Sequence, residues 1–232
     1  MALNAPRHPQ DHLATLLRLF TIHLLPTKGR QLELRTIRIT AIGDELLAGH
    51  GDPRALGWFG RVMARTQDPS LRLQSFVLAA PAEGSEALAE RWLGEASRRF
   101  SDQYENRLVI ALSDRDVDLE VSTARSRLNL ANILDSASQM NIKALLVGPA
   151  PGLDEARNER VAELNRVYAD VAMRRNHHYI DTFAPLRAHA QWRADLNASG
   201  GVPGQAGYGL MAWLVLHRGW YSWLQLPEPS AG

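Results

Sequence analysis

Thr36–Gly51 reads TIRITAIGDELLAGHG. Apolar and β-branched residues alternate from Ile37 to Ile42, and a Gly-Asp-Glu-Leu turn then leads into a loop carrying Gly49 and Gly51. A run of this kind is the signature of a buried strand that empties into a functional loop. In an open α/β sheet the ligand crevice lies beyond the carboxyl ends of the strands. Asp44, Glu45 and His50 therefore stand where chemistry is expected.

Outward from this turn the chain alternates between helical and extended patterns. A helix is predicted over Leu56–Thr66, with Trp58, Phe59, Val62 and Met63 facing the core, then a strand over Leu71–Ala79. A helix over Gly84–Phe100 is expected to turn Leu88, Trp92, Leu93 and Ala96 inward. Leu108–Leu112 is continuously apolar, as a central parallel strand is. An acidic loop, Ser113–Glu120, separates it from a helix over Ala124–Met140. A strand at Ala144–Gly148, a helix over Asp154–Arg174 and a last strand at Tyr179–Asp181 complete the pattern. The stretch 199–208 reads as a loop returning to the crevice, followed by a closing helix around Leu210–Leu216 and an aromatic tail. Such alternation implies a three-layer α/β/α sandwich with a five-stranded parallel sheet in the order 2-1-3-4-5.

The chain has 232 residues, which suits one α/β domain over residues 35–232 behind an N-terminal extension, 1–34. In that extension Leu13, Leu16, Leu17, Phe20 and Leu24 have helical spacing and predict an amphipathic helix, which packs either on the domain or on a second subunit. Arg18 and His23 interrupt the apolar run, which is too short to cross a bilayer, and no small-residue cleavage site follows. A cytoplasmic protein is expected. A formal charge of +1 gives no reason to expect nucleic acid or a membrane as partner. There is no cysteine, hence neither a disulfide framework nor a thiolate metal site. Only Lys28 and Lys143 are lysines, a bias that suggests GC-rich bacterial coding.

Gly43-Asp44-Glu45-Leu46, with Gly49-His50-Gly51-Asp52-Pro53 and Leu56-Gly57-Trp58 after it, resembles the first block of the SGNH, or GDSL, hydrolase superfamily. The resemblance runs from about Thr36 to Leu216 and implies the fold just described. It also implies a serine nucleophile in the turn, where this chain has Glu45. The oxyanion glycine of the second block corresponds to Ala79 or a near neighbour. The third block, Gly-x-Asn-Asp, corresponds to Ser113-Asp114-Arg115-Asp116, with Arg115 replacing the oxyanion-binding asparagine. The fourth, Asp-x-x-His-Pro, corresponds to Ser199-Gly200-Gly201-Val202-Pro203. Serine ester hydrolysis of the family type is therefore not expected, since the nucleophile, the base, the acid that orients the base and the side-chain oxyanion donor are all replaced.

Three classes of function follow. In the first, the fold is repurposed as a non-hydrolytic biosynthetic enzyme for substitution, elimination or isomerisation. There Glu45 moves a proton and Arg115 stabilises negative charge on a small ligand bearing an amine or an anionic group. In the second, Glu45 and Arg115 neutralise each other in a silent binding or scaffold partner, with Asp116 and Asp118 solvated on the loop rim. The third is a residual esterase using other residues. Asp44 either braces the turn or takes part in proton transfer, and His50 is either a surface residue or a proton carrier beside Glu45. Ala79, Ser113, Asp116, Ser199 and Val202 are the candidate substrate contacts. No ligand spacing matches a metal motif, and neither metal nor cofactor is expected.

Overall fold

β1 (Arg35–Gly43) is the second strand of one five-stranded parallel sheet, between the edge strand β2 (Leu71–Ala79) and the middle strand β3 (Glu105–Ala111). β4 (Lys143–Val147) and β5 (His178–Ile180) extend the sheet beyond β3, giving the order 2-1-3-4-5. The computed structural model describes residues 34–228, so the amphipathic helix expected at Leu13–Leu25 lies outside the described residues. The register aligns the strand ends: Gly43 pairs with Ala79, Ala111 with Val147, and Val147 with Ile180. The connections leaving these ends all open on one edge of the sheet. Gly43 is required there, because a Cβ on it would stand 2.6 Å from the carbonyl oxygen of Ala111.

Two hydrophobic layers cover the sheet. On one face Ile37, Ile39 and Ala41 meet α1 (Gly57–Arg65) through Trp58, Phe59 and Val62. The other face, with Ile42, Ile110 and Leu146, is covered by α2 (Ser85–Ala96), α4 (Thr123–Gln139) and α5 (Glu155–Arg174). Between β3 and α4 the expected acidic loop contains one helical turn, α3 (Arg115–Asp118). After β5 come two short helices that periodicity does not reveal, α6 (Phe183–Arg187) and α7 (Ala190–Ala198). α8 (Gln205–Val215) closes the first face and leads through a kink at Arg218 and Gly219 to α9 (Tyr221–Leu224).

One expectation about the core changes. Leu93 points outward and is 40% exposed, because α2 buries only the Leu88, Trp92 and Ala96 stripe. The aromatic tail is buried at Trp220, Tyr221 and Trp223, whereas Trp213 on α8 is exposed and stacks on His217, with ring centroids 4.4 Å apart. No described helix is long and apolar enough to cross a membrane.

Candidate functional site

The loops after β1, β2, β3 and β4, together with the loop between α7 and α8, enclose a cleft of about 180 Å³. Its position follows from the aligned strand ends, as the crevice rule for parallel sheets requires. Leu46, Pro151, Trp192, Leu196 and Val202 supply apolar wall, and the Trp192 indole N–H donates to the Pro151 carbonyl at 3.0 Å. Five carboxylates and two guanidiniums line the rest.

The turn after β1 is built by carboxylates. Asp44 Oδ1 accepts the Leu46 N–H at 3.0 Å. Asp52 accepts the N–H groups of Arg54, Leu56 and Gly57 and an ion pair from Arg61, which together hold its carboxyl well below the usual range. Burial pushes the Asp44 carboxyl up to about 7, and the neighbouring Glu45 and Asp114 charges push the same way against the Leu46 N–H. Glu45 lies beside it, with Oε2 accepting the Ala82 N–H at 2.7 Å. Ala82, in the loop after β2, has a left-handed backbone, φ 56°. It is Ala82, not Ala79, that lines the cleft, three residues after the end of β2.

The opposite wall is set by Arg157, a residue that no sequence pattern singles out. It stands in the first turn of α5, whose N-cap Asp154 accepts the Arg157 N–H. Its guanidinium holds both Asp118 oxygens at 2.8 Å and also pairs with Asp114. The Asp118 carboxyl is held below its ordinary range by Arg157. Arg115 lines the cleft and reaches Asp118 at 3.1 Å, and no ion pair joins it to Glu45 among the described residues. Arg157→Met is expected to cost about 1–2 kcal/mol of unfolding free energy at pH 7, because it leaves Asp114 and Asp118 facing each other. The pairing depends on ionised carboxylates, so it is lost as pH falls through the depressed Asp118 pKa. Urea curves of the variant and the wild type should therefore draw together as the pH is lowered below the ordinary carboxylate range.

Of the other sequence candidates, Val202 lines the cleft, but His50, Ser113, Asp116 and Ser199 do not. The His50 side chain is exposed, and its carbonyl accepts the Tyr208 hydroxyl. Ser113 donates to the Glu83 carbonyl and borders a small inner cavity of about 20 Å³, shared with Asp44. Asp116 is 1% exposed and accepts from the Ser85 N–H at 2.7 Å, the Ser126 hydroxyl at 2.5 Å and the Tyr168 hydroxyl at 3.0 Å. Ser199 ends α7 and donates to the Asp195 and Val202 carbonyls. Among the described residues no histidine lines the cleft and no group of three or more potential ligands is arranged for a metal ion.

The sequence matches the model of the GDSL-like lipase/acylhydrolase family over residues 41–210. Among curated protein sequences none matches. Solved structures with this fold include a psychrotrophic esterase, EstA, from Pseudoalteromonas sp., with TM-score 0.63 and 14% identity over 81% of this chain and 98% of that one. The lipase/acylhydrolase of Enterococcus faecalis superposes with TM-score 0.62 and 18% identity, over 84% of this chain and 99% of its own. A catalytic mutant of Axe2, an acetylxylan esterase from Geobacillus stearothermophilus, gives 0.64 and 17%, over 83% and 97%.

Proposed function

The chain belongs to the GDSL-like lipase/acylhydrolase family, and from that premise we propose that it has left ester hydrolysis and moves a proton on a small polar metabolite. The observation that carries this reading is the pair of adjacent carboxylates at the β1 turn. Asp44 sits near 7, and Glu45 is anchored by the Ala82 N–H on the wall facing two guanidiniums. A group that titrates near the working pH both accepts and returns a proton efficiently. Asp44 and Glu45 form the acid–base pair, and Arg115 binds the anionic end of the substrate through the donors it does not spend on Asp118. In an isomerisation the pair takes a proton from a carbon beside an anionic or carbonyl group and returns it to a neighbouring position. Leu46, Trp192 and Val202 give the apolar part of the substrate a wall to rest on beside this pair.

Proton transfer leaves an isotopic record whichever small molecule undergoes it. Incubation of the protein with a pool of small polar metabolites in D2O is expected to place deuterium at one activated carbon, read by loss of its proton NMR signal. Glu45→Gln should slow that exchange on the order of 10²-fold or more while leaving the fold intact. Hydrolysis of p-nitrophenyl acetate should stay at the buffer rate. Exchange that is absent, or equal in Glu45→Gln, overturns the reading.

One observation favours a second reading. The Ala82 N–H, close to the position where the sequence resemblance puts the family's oxyanion block, is already engaged by Glu45, and Arg157 is committed to two aspartates. A silent family member that binds a ligand or partner without turning it over is built in the same way. For that protein Glu45→Gln leaves partner binding in place and no exchange is seen in either form.

A further inference from the structure

At the end of the sheet opposite the cleft, a hollow of about 580 Å³ is lined by Arg38, Phe76, Arg98 and Arg99, with no carboxylate among them. We propose that this hollow is a binding site for a small, multiply charged phosphate anion. Three guanidiniums sharing one hollow repel one another, and a bound anion relieves that repulsion.

Two of the three groups are held in place before any ligand arrives. Arg38 projects from β1, donates through Nε to Gln74 at 2.7 Å and through Nη1 to the Arg99 carbonyl at 3.2 Å. Its guanidinium lies 5.9 Å from the Phe76 ring centroid and 5.2 Å from that of Tyr104. Arg99 donates through Nη1 to the Glu95 carbonyl at 2.8 Å. The loop that presents Tyr104 is fixed by the Asn106 side chain, which accepts the Ser101 N–H at 3.0 Å and donates to the Ser101 carbonyl at 2.8 Å. Among the described residues no carboxylate forms an ion pair with Arg38, Arg98 or Arg99. Glu83 and Glu95, the carboxylates at either end of α2, are both committed to Arg91. Forked guanidinium donors on a pre-ordered frame suit the oxygens of phosphate, and pre-ordering lowers the entropic cost of holding them.

The Arg38 guanidinium already occupies one face of each ring, the face turned to the hollow where a nucleobase would otherwise stack. With a net charge of +1, the chain also lacks the extended basic surface that a nucleic acid requires. The ligand class is therefore a phosphate ester or a free polyphosphate.

Calorimetric titration of the full chain with inorganic pyrophosphate in a chloride buffer tests the site. One saturable site with Kd of about 1 mM or tighter is expected, and its affinity should fall as ionic strength rises. The double variant R98S/R99S, altered only at the rim, should weaken binding by about tenfold or more, since two charge-assisted contacts are removed. Its unfolding temperature in anion-free buffer should be no lower than that of the wild type. R115S should bind pyrophosphate as the wild type does, which separates this hollow from the cleft. Phenyl phosphate binding at the same site assigns it to esters, and pyrophosphate binding alone assigns it to free polyphosphate. The proposal falls if titration is unsaturable, if R98S/R99S binds as tightly as the wild type, or if R115S is the variant that loses binding.

Discussion

Asp44→Asn is expected to make the protein more stable at pH 8, by as much as about 4 kcal/mol, while abolishing proton transfer. The figure is the displacement of the Asp44 carboxyl from its ordinary 3.8 to about 7, at 1.36 kcal/mol for each unit. The sign follows from which state binds the proton. Between pH 4 and pH 7 the folded protein holds a proton on Asp44 that the unfolded chain has released, so stability falls as pH rises through this window. Above 7 the buried carboxylate is charged in both states and its desolvation is felt in full. Asparagine keeps the acceptor for the Leu46 N–H and has no charge to desolvate. Urea denaturation of both forms at half-unit steps from pH 4 to pH 8 should show curves that coincide at the acid end and separate steadily above it. Parallel curves would mean that Asp44 titrates normally and would remove it from the acid–base pair. Under the proposed role, the Asp44 carboxyl trades stability for reactivity.

The second large effect is expected at Asp116. Asp116→Ala removes the common acceptor of the Ser85 N–H and the Ser126 and Tyr168 hydroxyls, all inside the protein. Stranding these donors should lower the unfolding free energy by about 3–5 kcal/mol. For a domain of this size that is on the order of 10 °C in Tm. Asp116→Asn retains one acceptor oxygen and should lose markedly less. A loss below about 1 kcal/mol for the alanine variant would show that water replaces the carboxylate freely. Since Asp116 anchors the α3 turn that carries Arg115 and Asp118, its loss should also disorder one wall of the cleft.

The contrast between Asp116 and β1 marks what a sequence discloses. The inner strands β3 and β4 carry continuous apolar runs, β1 alternates, and with strand length and the crossover rule these patterns suffice to place the five strands and their order. The β1 turn is readable for the same reason, since the loop after a central strand has a fixed place in such a sheet. Asp116 reads as a substrate contact or a solvated rim residue because it sits in an acidic stretch. What buries it comes from Ser126 and Tyr168, on two other helices, and no local pattern records that meeting. Arg157 is one of several arginines on α5, and only the placement of the helix start beside the strand ends distinguishes it from Arg160. α6 and α7 are too short for a 3.6-residue period to emerge from composition. The exposure of Leu93 has a related cause, since the helical stripe on α2 is narrower than its apolar content.

The hydrogen bond between Ala82 and Glu45 also governs what can enter the cleft. A carboxylate tethered to the same chain competes for that backbone donor at an effective concentration in the millimolar range or above, however dilute the surroundings. An incoming carboxylate or phosphate must evict this resident before it gains the donor, whereas an ammonium group finds a negative partner already in position. Admission is therefore biased by charge at the β1 end of the cleft, and an amine is the group that meets no rival there.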